Sequence, residues 1–525
     1  MSGRGQESLL NAQLASGTPQ MCERRAWDRI QSVLWLALLA CAFAAPSVAD
    51  PTIGMISDAR APARLPHASG EPTRLLAANA LMAGGRIQRG ENGARLVGGW
   101  GERAPRAIAW PLNVDADGDY EVRVLLDHVS GPDVVVELRA GAASVRMASR
   151  ASDAEVRYRT ARLTGATPLK LRKGAQHLSL DVHPSDSGAL ELAAFSVELI
   201  RTKDLDRYSS SVVQRRARVD GFAALGHGFM VHYTPESFPR SGPRRPWADA
   251  VRDFDVEAFA DQMAQGGAGF VVFVTAHMQW TFPAPLRTVD AQMPGRTTER
   301  DLIEDLAQAL RKRGIRLMLY LNPAWDEAFR THTGGGDRAP TRLLEAWNAT
   351  VTEIGERYGE RVFGYWFDKG PWFYEVAPSW VVLHRAARAG NPDRFIAWNR
   401  SRLPMLTDFQ DFDSCEKCDD PSAGGHLRIG GSGQYHGGPS RGLQAAATLL
   451  AEYSPQGESA DAWVHRWPDK AIGMPRWNPR ELEVLLAAFR ARGNVPIFNL
   501  GIYQDGRVSE RSVAVFAQAS LLPQH

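Results

Sequence analysis

Polar side chains directly follow hydrophobic, strand-like runs at several points in the second half of the chain. The run VFGYWF stops at Asp368, and the run FIAW stops at Asn399 and Arg400. Other runs of this kind are followed by His232, by His277, by Asn322 with Trp325, and by Asn499. One such residue is a common way to end a strand. Their recurrence indicates a site for chemistry, because the carboxyl ends of parallel strands meet at one edge of a sheet.

Strand and helix patterns alternate through residues 219–525. The strand-like run at 270–275 is followed by a stretch in which Leu302, Leu306 and Leu310 share one helical face. Nearly continuous apolar strands that alternate with helices predict a parallel sheet covered on both faces. The length of this region fits an α/β fold of the (β/α)8-like, TIM-barrel type. In that fold, the polar strand ends would line the mouth of the barrel.

An all-β region precedes the predicted barrel. Residues 71–203 contain short runs with period-two alternation, such as YEVRVLL at 120–126, and no convincing helical period. We predict a jelly-roll-like β-sandwich that either binds carbohydrate or serves as a structural spacer. Residues 50–70 are rich in proline, alanine and serine, and they are predicted to be the linker in front of it.

Residues 1–49 have the pattern of an export signal. Basic residues such as Arg24 precede the apolar run 33–45, and the segment 47–49 offers small side chains for cleavage. That run is shorter than the roughly 18 apolar residues of a membrane span. We therefore predict a periplasmic or secreted protein without an integral membrane span in its mature form. The sequence LLAC, ending at Cys41, resembles a lipobox and leaves a lipid anchor as the alternative.

Charge, cysteine spacing and histidine spacing limit the partners of the chain. The formal net charge is +2, which argues against nucleic acid as a partner. Cys415 and Cys418 form a lone CxxC, for which a disulfide is favoured over a zinc site in an exported protein. His227, His232 and His277 have neither HxH nor HExxH spacing, so no metal is predicted.

Short motifs follow one another from residue 227 to about residue 510. They are HGFMVHYTPESFP at 227–239, GAGFVVFVTAH at 267–277, RDL at 300–302, GIRLMLY at 314–320, YWFD at 365–368, NR at 399–400, DFDSCE at 411–416 and GNVPIFNLGIYQDGR at 493–507. In content and order they resemble the α-L-fucosidases of glycoside hydrolase family 29. The resemblance implies a retaining exo-glycosidase that needs no cofactor. Its substrate would be a glycan with terminal α-L-fucosyl or closely related linkages.

The resemblance also implies roles for two carboxylates. Asp368 matches the catalytic nucleophile of the family, and Glu416 is the candidate acid/base, with Glu236, Glu375 and Glu458 as alternatives. In a retaining glycosidase the two carboxyl groups lie about 5 to 5.5 Å apart. Partial desolvation of Glu416 would keep it protonated, as an acid must be, whereas full exposure would make it an ordinary surface residue.

The implied sugar contacts come from strand ends and aromatic side chains, and departures from the family pattern leave the sugar open. The contacts are His232, His277, Trp325, Trp366, Asn399 and Arg400. The segment 277–279 replaces a paired histidine and aspartate of the family, and Lys369 replaces the glycine after the nucleophile. The alternatives are therefore a glycosidase for a different sugar, or a catalytically inactive carbohydrate-binding protein on the same barrel.

Overall fold

The computed structural model describes most of the chain beyond residue 61. The described residues are 62–66, 71–82, 86–89, 95–98, 100, 107–151, 160–217, 221–277, 279–322, 340–368, 378–399, 407–416, 443–455, 463–491 and 493–522. The predicted export signal 1–49, with Cys41, lies outside them, as does most of the predicted linker 50–70.

Two β-sheets form the N-terminal region. The first contains β1 (Ala63–Leu65), β3 (Leu81–Met82), β6 (Ala107–Val114), β8 (Val134–Ala140), β9 (Ala143–Ser149) and β12 (Gly174–Pro184). The second contains β2 (Thr73–Leu76), β4 (Arg86–Arg89), β5 (Arg95–Gly98), β7 (Gly118–Ser130), β10 (Thr160–Thr164), β11 (Leu169–Leu171) and β13 (Glu191–Arg201). Apart from the parallel pair β1 and β6, the paired strands run antiparallel.

Side chains from both sheets pack into one hydrophobic cluster. Ile108 and Val136 of the first sheet belong to it, together with Val122, Val124 and Val197 of the second. Alternate residues of a strand point to opposite faces, so the period-two pattern gives each sheet one apolar face. Each sheet therefore contributes one face to a shared core.

Eight parallel strands form the barrel. They are β14 (Gly228–Val231), β15 (Phe270–Ala276), β16 (Arg316–Leu321), β17 (Val362–Phe367), β18 (Phe395–Trp398), β19 (Asp413–Glu416), β20 (Ala445–Leu450) and β21 (Val495–Leu500). Their order in the sheet is β18-β17-β16-β15-β14-β21-β20-β19. This nearly closed parallel sheet is TIM-like, as the alternating sequence pattern predicts.

Described helices lie between most consecutive barrel strands, though none lies between β18 and β20. The described helices are α1 (Leu205–Arg215), α2 (Trp247–Arg252), α3 (Val256–Gln265), α4 (Arg287–Asp290), α5 (Leu302–Lys312), α6 (Pro340–Tyr358), α7 (Trp380–Ala387), α8 (Pro479–Ala491) and α9 (Glu510–Ser520). Leu302, Leu306 and Leu310 on α5 are all buried, which confirms the predicted apolar face. Asp301 begins this helix by accepting a hydrogen bond from Glu304 N at 3.0 Å. Among the described helices, none is both long enough and apolar enough to cross a bilayer.

Strand alternation divides the barrel side chains between two clusters. Met230, Val272 and Met318 belong to a cluster that we call the inner core. Their neighbours Val231 and Phe273 belong instead to a cluster that includes the surrounding helices. The inner core fills the barrel, and the outer cluster joins the strands to the helices.

β18 and β19 lie at the two ends of the strand order, and no ladder of described residues joins them. Asp411 bridges this gap, which we call the seam. Its backbone nitrogen donates to Ile396 O at 2.8 Å, and its carboxylate accepts from Ile396 N at 2.7 Å. Arg388 Nη2 donates to both carboxylate oxygens of Asp411 at 2.8 Å. The seam is thus held by a buried ion pair and hydrogen bonds that replace a strand ladder.

A buried carboxyl group lies beside the end of β20. Glu452 accepts hydrogen bonds from Gly501 N and from the hydroxyl of Ser512, both at 2.7 Å. Burial raises the pKa of Glu452 to about 7, and these two hydrogen bonds oppose the rise. Since its folded pKa lies above the ordinary value, Glu452 stabilises the fold at low pH. That contribution is lost as the pH rises through about 7.

We expect Glu452→Gln to remove this part of the pH dependence, since glutamine is neutral at every pH. Between about pH 5 and about pH 8, the free energy of unfolding should fall less in the variant than in the wild type. Urea unfolding at both pH values measures the difference. Glu510→Gln, at an exposed position on α9, is the control and should follow the wild type. Identical pH dependence in the Glu452 variant and the wild type would contradict the prediction.

Candidate active site

In five barrel strands, side chains alternate between the inside and the outside of the barrel. The next inward-facing position beyond the inner core is a polar residue. The top inner-core residues of five strands are Met230, Tyr320, Trp366, Ala397 and Ile497. Two positions further along lie His232, Asn322, Asp368, Asn399 and Asn499, all of them buried. Alternate side chains of a strand share one side, so these five groups face the barrel axis at its carboxyl edge.

The carboxylate of Asp368 accepts hydrogen bonds from three neighbouring side chains. Asn399 Nδ2 donates to Oδ1 at 2.7 Å. The hydroxyl of Tyr320 and, at 3.4 Å, Nδ2 of Asn322 donate to Oδ2. The backbone is also fixed, because Asp368 N donates to Leu321 O at 2.8 Å. Asp368 is therefore a buried carboxylate with both oxygens oriented by its neighbours.

Tyr320 remains a donor over the working pH range. Burial raises the pKa of its hydroxyl well above the ordinary value, and the nearby charge of Asp368 raises it further. A neutral hydroxyl that donates to a carboxylate forms a strong, charge-assisted hydrogen bond. The Tyr320 hydroxyl is therefore the donor in its contact with Asp368.

Glu416 lies close to Asp368 across the seam. It is half-buried at the end of β19, and Asn399 Nδ2 lies 3.5 Å from its Oε2. The same nitrogen is 2.7 Å from Oδ1 of Asp368. Together the two distances bound the separation of these carboxylate oxygens at about 6 Å. Asn399 thus brings the two carboxyl groups to one place.

Two histidines line the opposite side of this site. His232 and His277 pack edge to face with ring centroids 5.1 Å apart, and the His232 ring lies 5.5 Å from that of Tyr320. A register shift between Val274 and Ala276 in β15 interrupts the regular alternation of side chains between the two sides of that strand, just before His277. The site therefore contains two carboxylates on one side and two imidazoles on the other.

His232 is neutral and its tautomer is set by a neighbouring amide. Burial, and secondarily the charge of His277, lowers the pKa of His232 to about 3. Its Nδ1 lies 2.7 Å from Oδ1 of Asn499, whose own amide nitrogen donates to Trp463 O at 3.2 Å. With Asn499 oriented in this way, Nδ1 of His232 carries the proton. Its Nε2 is then an acceptor, suited to a hydroxyl of a ligand.

Part of this chain matches a known protein family. Residues 247–416 match the family model described as Alpha-L-fucosidase. This part of the barrel, which includes β15 to β19, is α-L-fucosidase-like, and α-L-fucosidases are glycoside hydrolases. The matched range contains Asp368, Asn399 and Glu416.

Solved fucosidase structures are also similar to this chain, at low identity. The α-L-fucosidase AlfC from Lactobacillus casei, in complex with its α-L-fucose product, is 16% identical. The match covers 57% of this chain and 96% of that chain, with a TM-score of 0.40. The α-L-fucosidase isoenzyme 1 from Paenibacillus thiaminolyticus is 18% identical over 59% of this chain and 75% of that one, with a TM-score of 0.41. No curated protein sequence matches this chain.

Not all the predicted site residues of the fucosidase-like barrel lie around the two carboxylates. Trp366 is only 1% exposed and packs against Phe412 in the inner core, below the site. His227 lies at the other end of β14, where its Nε2 is 3.1 Å from Gly266 O. Glu236 forms an ion pair with Arg466 at 2.7 Å. It also lines a cleft that His277 borders.

Other predicted residues lie outside the described part of the chain. These are Trp325, Lys369, Glu375, Arg400, Cys418 and Glu458. Cys415 lies on β19, but its side chain is not described, so the predicted disulfide with Cys418 stays a prediction. Within the described residues, no group of three or more His, Cys, Asp or Glu side chains is arranged to hold a metal ion.

Two aromatic residues of the fucosidase-like site are missing from the sequence prediction. Tyr320 could have been predicted from the sequence, because it lies two residues before Asn322 on the same strand and its side chain therefore points to the same side. Trp463 could not, because it lies in a loop, and only the fold brings its ring to within 5.6 Å of the His232 ring. It is half-buried, so part of its surface remains available to a ligand.

Proposed function

We propose that this protein is an exported retaining exo-glycosidase that hydrolyses terminal α-L-fucosides or closely related linkages. Asp368 is the nucleophile and Glu416 is the acid/base. The observation that carries the proposal is that Asn399 Nδ2 lies 2.7 Å from Oδ1 of Asp368 and 3.5 Å from Oε2 of Glu416, so these two oxygens are at most about 6 Å apart, which supports the short carboxyl spacing of a retaining enzyme. Inverting glycosidases need a larger gap, of about 6.5 to 9.5 Å, to admit a water molecule.

The first step breaks the glycosidic bond. Glu416, protonated, donates its proton to the glycosidic oxygen while a carboxylate oxygen of Asp368 attacks the anomeric carbon. The leaving group departs as a neutral alcohol, and a glycosyl ester forms on Asp368. Tyr320 and Asn399 hold the carboxylate in place, so little reorganisation is needed at the moment of attack.

The second step releases the sugar. Glu416, now ionised, takes a proton from water, and the water oxygen attacks the anomeric carbon. The ester bond breaks and Asp368 recovers its carboxylate. Each step inverts the anomeric centre, so the product has the configuration of the substrate.

The opposite side of the site binds the sugar. His232 accepts a hydrogen bond from a sugar hydroxyl through its unprotonated Nε2, and His277 contacts a second hydroxyl. The exposed part of the Trp463 ring covers an apolar face of the sugar. The neutral His232 ring and an aromatic ring suit an uncharged sugar such as fucose.

The remaining features of the proposal concern the N-terminal region and the location of the protein. We assign residues 71–203 to a jelly-roll-like sandwich, which the core shared by the two sheets supports. The basic and apolar pattern of residues 1–49 supports export to the periplasm or outside the cell, with a lipid anchor at Cys41 as the alternative.

A panel of aryl glycosides tests the proposed function. We expect turnover of 4-nitrophenyl α-L-fucoside, and proton NMR of the first product formed should show the α-anomer. Turnover of another glycoside alone would replace fucose by that sugar. Sugar binding without any turnover would favour a carbohydrate-binding protein. A β-anomeric first product would contradict the retaining mechanism.

A further inference from the structure

A short segment at the barrel seam is held by groups that lie far from the carboxylate site in the sequence. Residues 407–412, which we call the seam segment, lead directly into β19 and Glu416. The segment contains two buried aspartates, since Asp408 is 2% exposed and Asp411 is not exposed at all. Buried carboxylates need partners, because leaving them unpaired costs free energy.

The chain that connects the N-terminal sheets to the barrel supplies some of these partners. After α1 ends at Arg215, the next two residues bind the seam segment. Ala217 N donates to the carboxylate of Asp411 at 2.7 Å. Arg216 donates to two backbone carbonyls of the segment, those of Gln410 and Asp408, each at 3.2 Å.

The other partners come from α1 and from the second N-terminal sheet. The hydroxyl of Tyr208 on α1 donates to Oδ2 of Asp408 at 2.7 Å, and its ring packs edge-on against Phe409. Arg123 of β7 lies 3.6 Å from the same carboxylate oxygen. The region before the barrel therefore contacts the segment that closes the barrel.

The position of Glu416 depends on this segment. β19 has a strand partner on one side, β20, while on the side of β18 the seam segment takes the place of a ladder. Glu416 reaches Asn399 across this same seam. A sideways shift of β19 therefore changes the distance between Glu416 and Asp368, which share Asn399.

We propose that Tyr208, Arg216 and Arg123 are positioning residues for Glu416. By holding the seam segment, they fix β19 against β18 and keep the acid/base within reach of the glycosidic oxygen. This inference rests on the proposed function and extends it, since it gives the N-terminal region a role in setting the geometry of the site. Small displacements of a catalytic group cost large factors in rate, of the order of 10²-fold per ångström.

The test is Tyr208→Phe in the full-length protein, which removes one hydroxyl and keeps the ring. We expect kcat/KM for phenyl α-L-fucoside, whose leaving group needs a proton, to fall about tenfold. The value for 2,4-dinitrophenyl α-L-fucoside, whose leaving group needs none, should change by less than about twofold. Backbone amides at 413–416 should also exchange hydrogen faster, a readout that does not depend on activity.

Tyr358→Phe is the matched control. Its hydroxyl donates to Asp301 at 2.8 Å, so this variant also removes a tyrosine–aspartate hydrogen bond, here a partly buried one, from the barrel but away from the seam. We expect a similar loss of thermal stability with equal effects on the two substrates and unchanged exchange at 413–416. Arg216→Met, which keeps the length of the side chain, should repeat the Tyr208→Phe result.

The outcomes separate this inference from the proposed function. If the wild type hydrolyses fucosides and Tyr208→Phe behaves like Tyr358→Phe, the positioning role is overturned. If the wild type hydrolyses no fucoside, the proposed function fails. In that case, if amide exchange at 413–416 is the same in Tyr208→Phe as in the wild type, the positioning of β19 is overturned as well. Faster exchange in Tyr208→Phe supports it.

Discussion

Asp368→Ala is expected to reduce kcat on aryl α-L-fucosides by about 10³-fold or more, because the variant has no group to form the glycosyl ester. The effect should be on the chemical step, since the side chains proposed to bind the sugar, His232 and Trp463, are unchanged. The structure should persist, because removing a buried carboxylate relieves its desolvation while its donors are amides and a hydroxyl. Steady-state kinetics and thermal unfolding of both proteins measure the two effects.

Azide distinguishes a missing nucleophile from a misplaced one. In Asp368→Ala, azide can occupy the vacated space and attack the anomeric carbon, while Glu416 protonates the leaving group. The product should be the β-fucosyl azide, since a single displacement inverts the centre. Wild-type turnover in Asp368→Ala, or failure of azide to restore turnover in a folded variant, would remove Asp368 from the role of nucleophile.

Glu416→Ala is expected to show the second largest loss, and its size should depend on the leaving group. For phenyl α-L-fucoside, kcat/KM should fall by about 10²- to 10⁴-fold, the usual contribution of a general acid. For 2,4-dinitrophenyl α-L-fucoside, kcat/KM should remain close to the wild-type value.

Glu236→Ala is the matched control for this assignment. Glu236 is the other described glutamate that the sequence offers as an acid, and it is paired with Arg466 at the cleft beside His277. Its removal should affect both substrates alike. If the dependence on the leaving group appears in Glu236→Ala and is absent from Glu416→Ala, the acid/base role belongs to Glu236. In Glu416→Ala, azide should give the α-fucosyl azide by attack on the glycosyl ester, opposite to the product of Asp368→Ala.

The sequence is sufficient to predict the barrel and its carboxyl edge because the relevant signal is local. Apolar, strand-like runs alternate with amphipathic helices along the chain. The polar residue after a run lies two positions beyond an inward-facing residue of that strand. Asp368 and Asn399 can be placed at the same edge in this way, since strand alternation decides which side a residue faces. Trp366 lies two residues before Asp368, so by the same rule its side chain also points into the barrel. It lies deeper than Asp368 and is buried in the inner core.

Only the tertiary structure decides which of these groups meet. The contacts of Asn399 with both carboxylates require β17, β18 and β19 to be neighbours, although β18 and β19 are joined by no ladder. Trp463 reaches His232 from a loop with no periodic pattern, and Tyr208 reaches Asp408 from a helix that precedes the barrel. Alternation is a property of the local backbone, whereas such contacts depend on barrel closure and packing between distant segments. The sequence by itself therefore predicted six of the eight barrel strands and the direction of their end residues. The folded structure added β19 and β20, the partners of Asp368 and the position of Glu416.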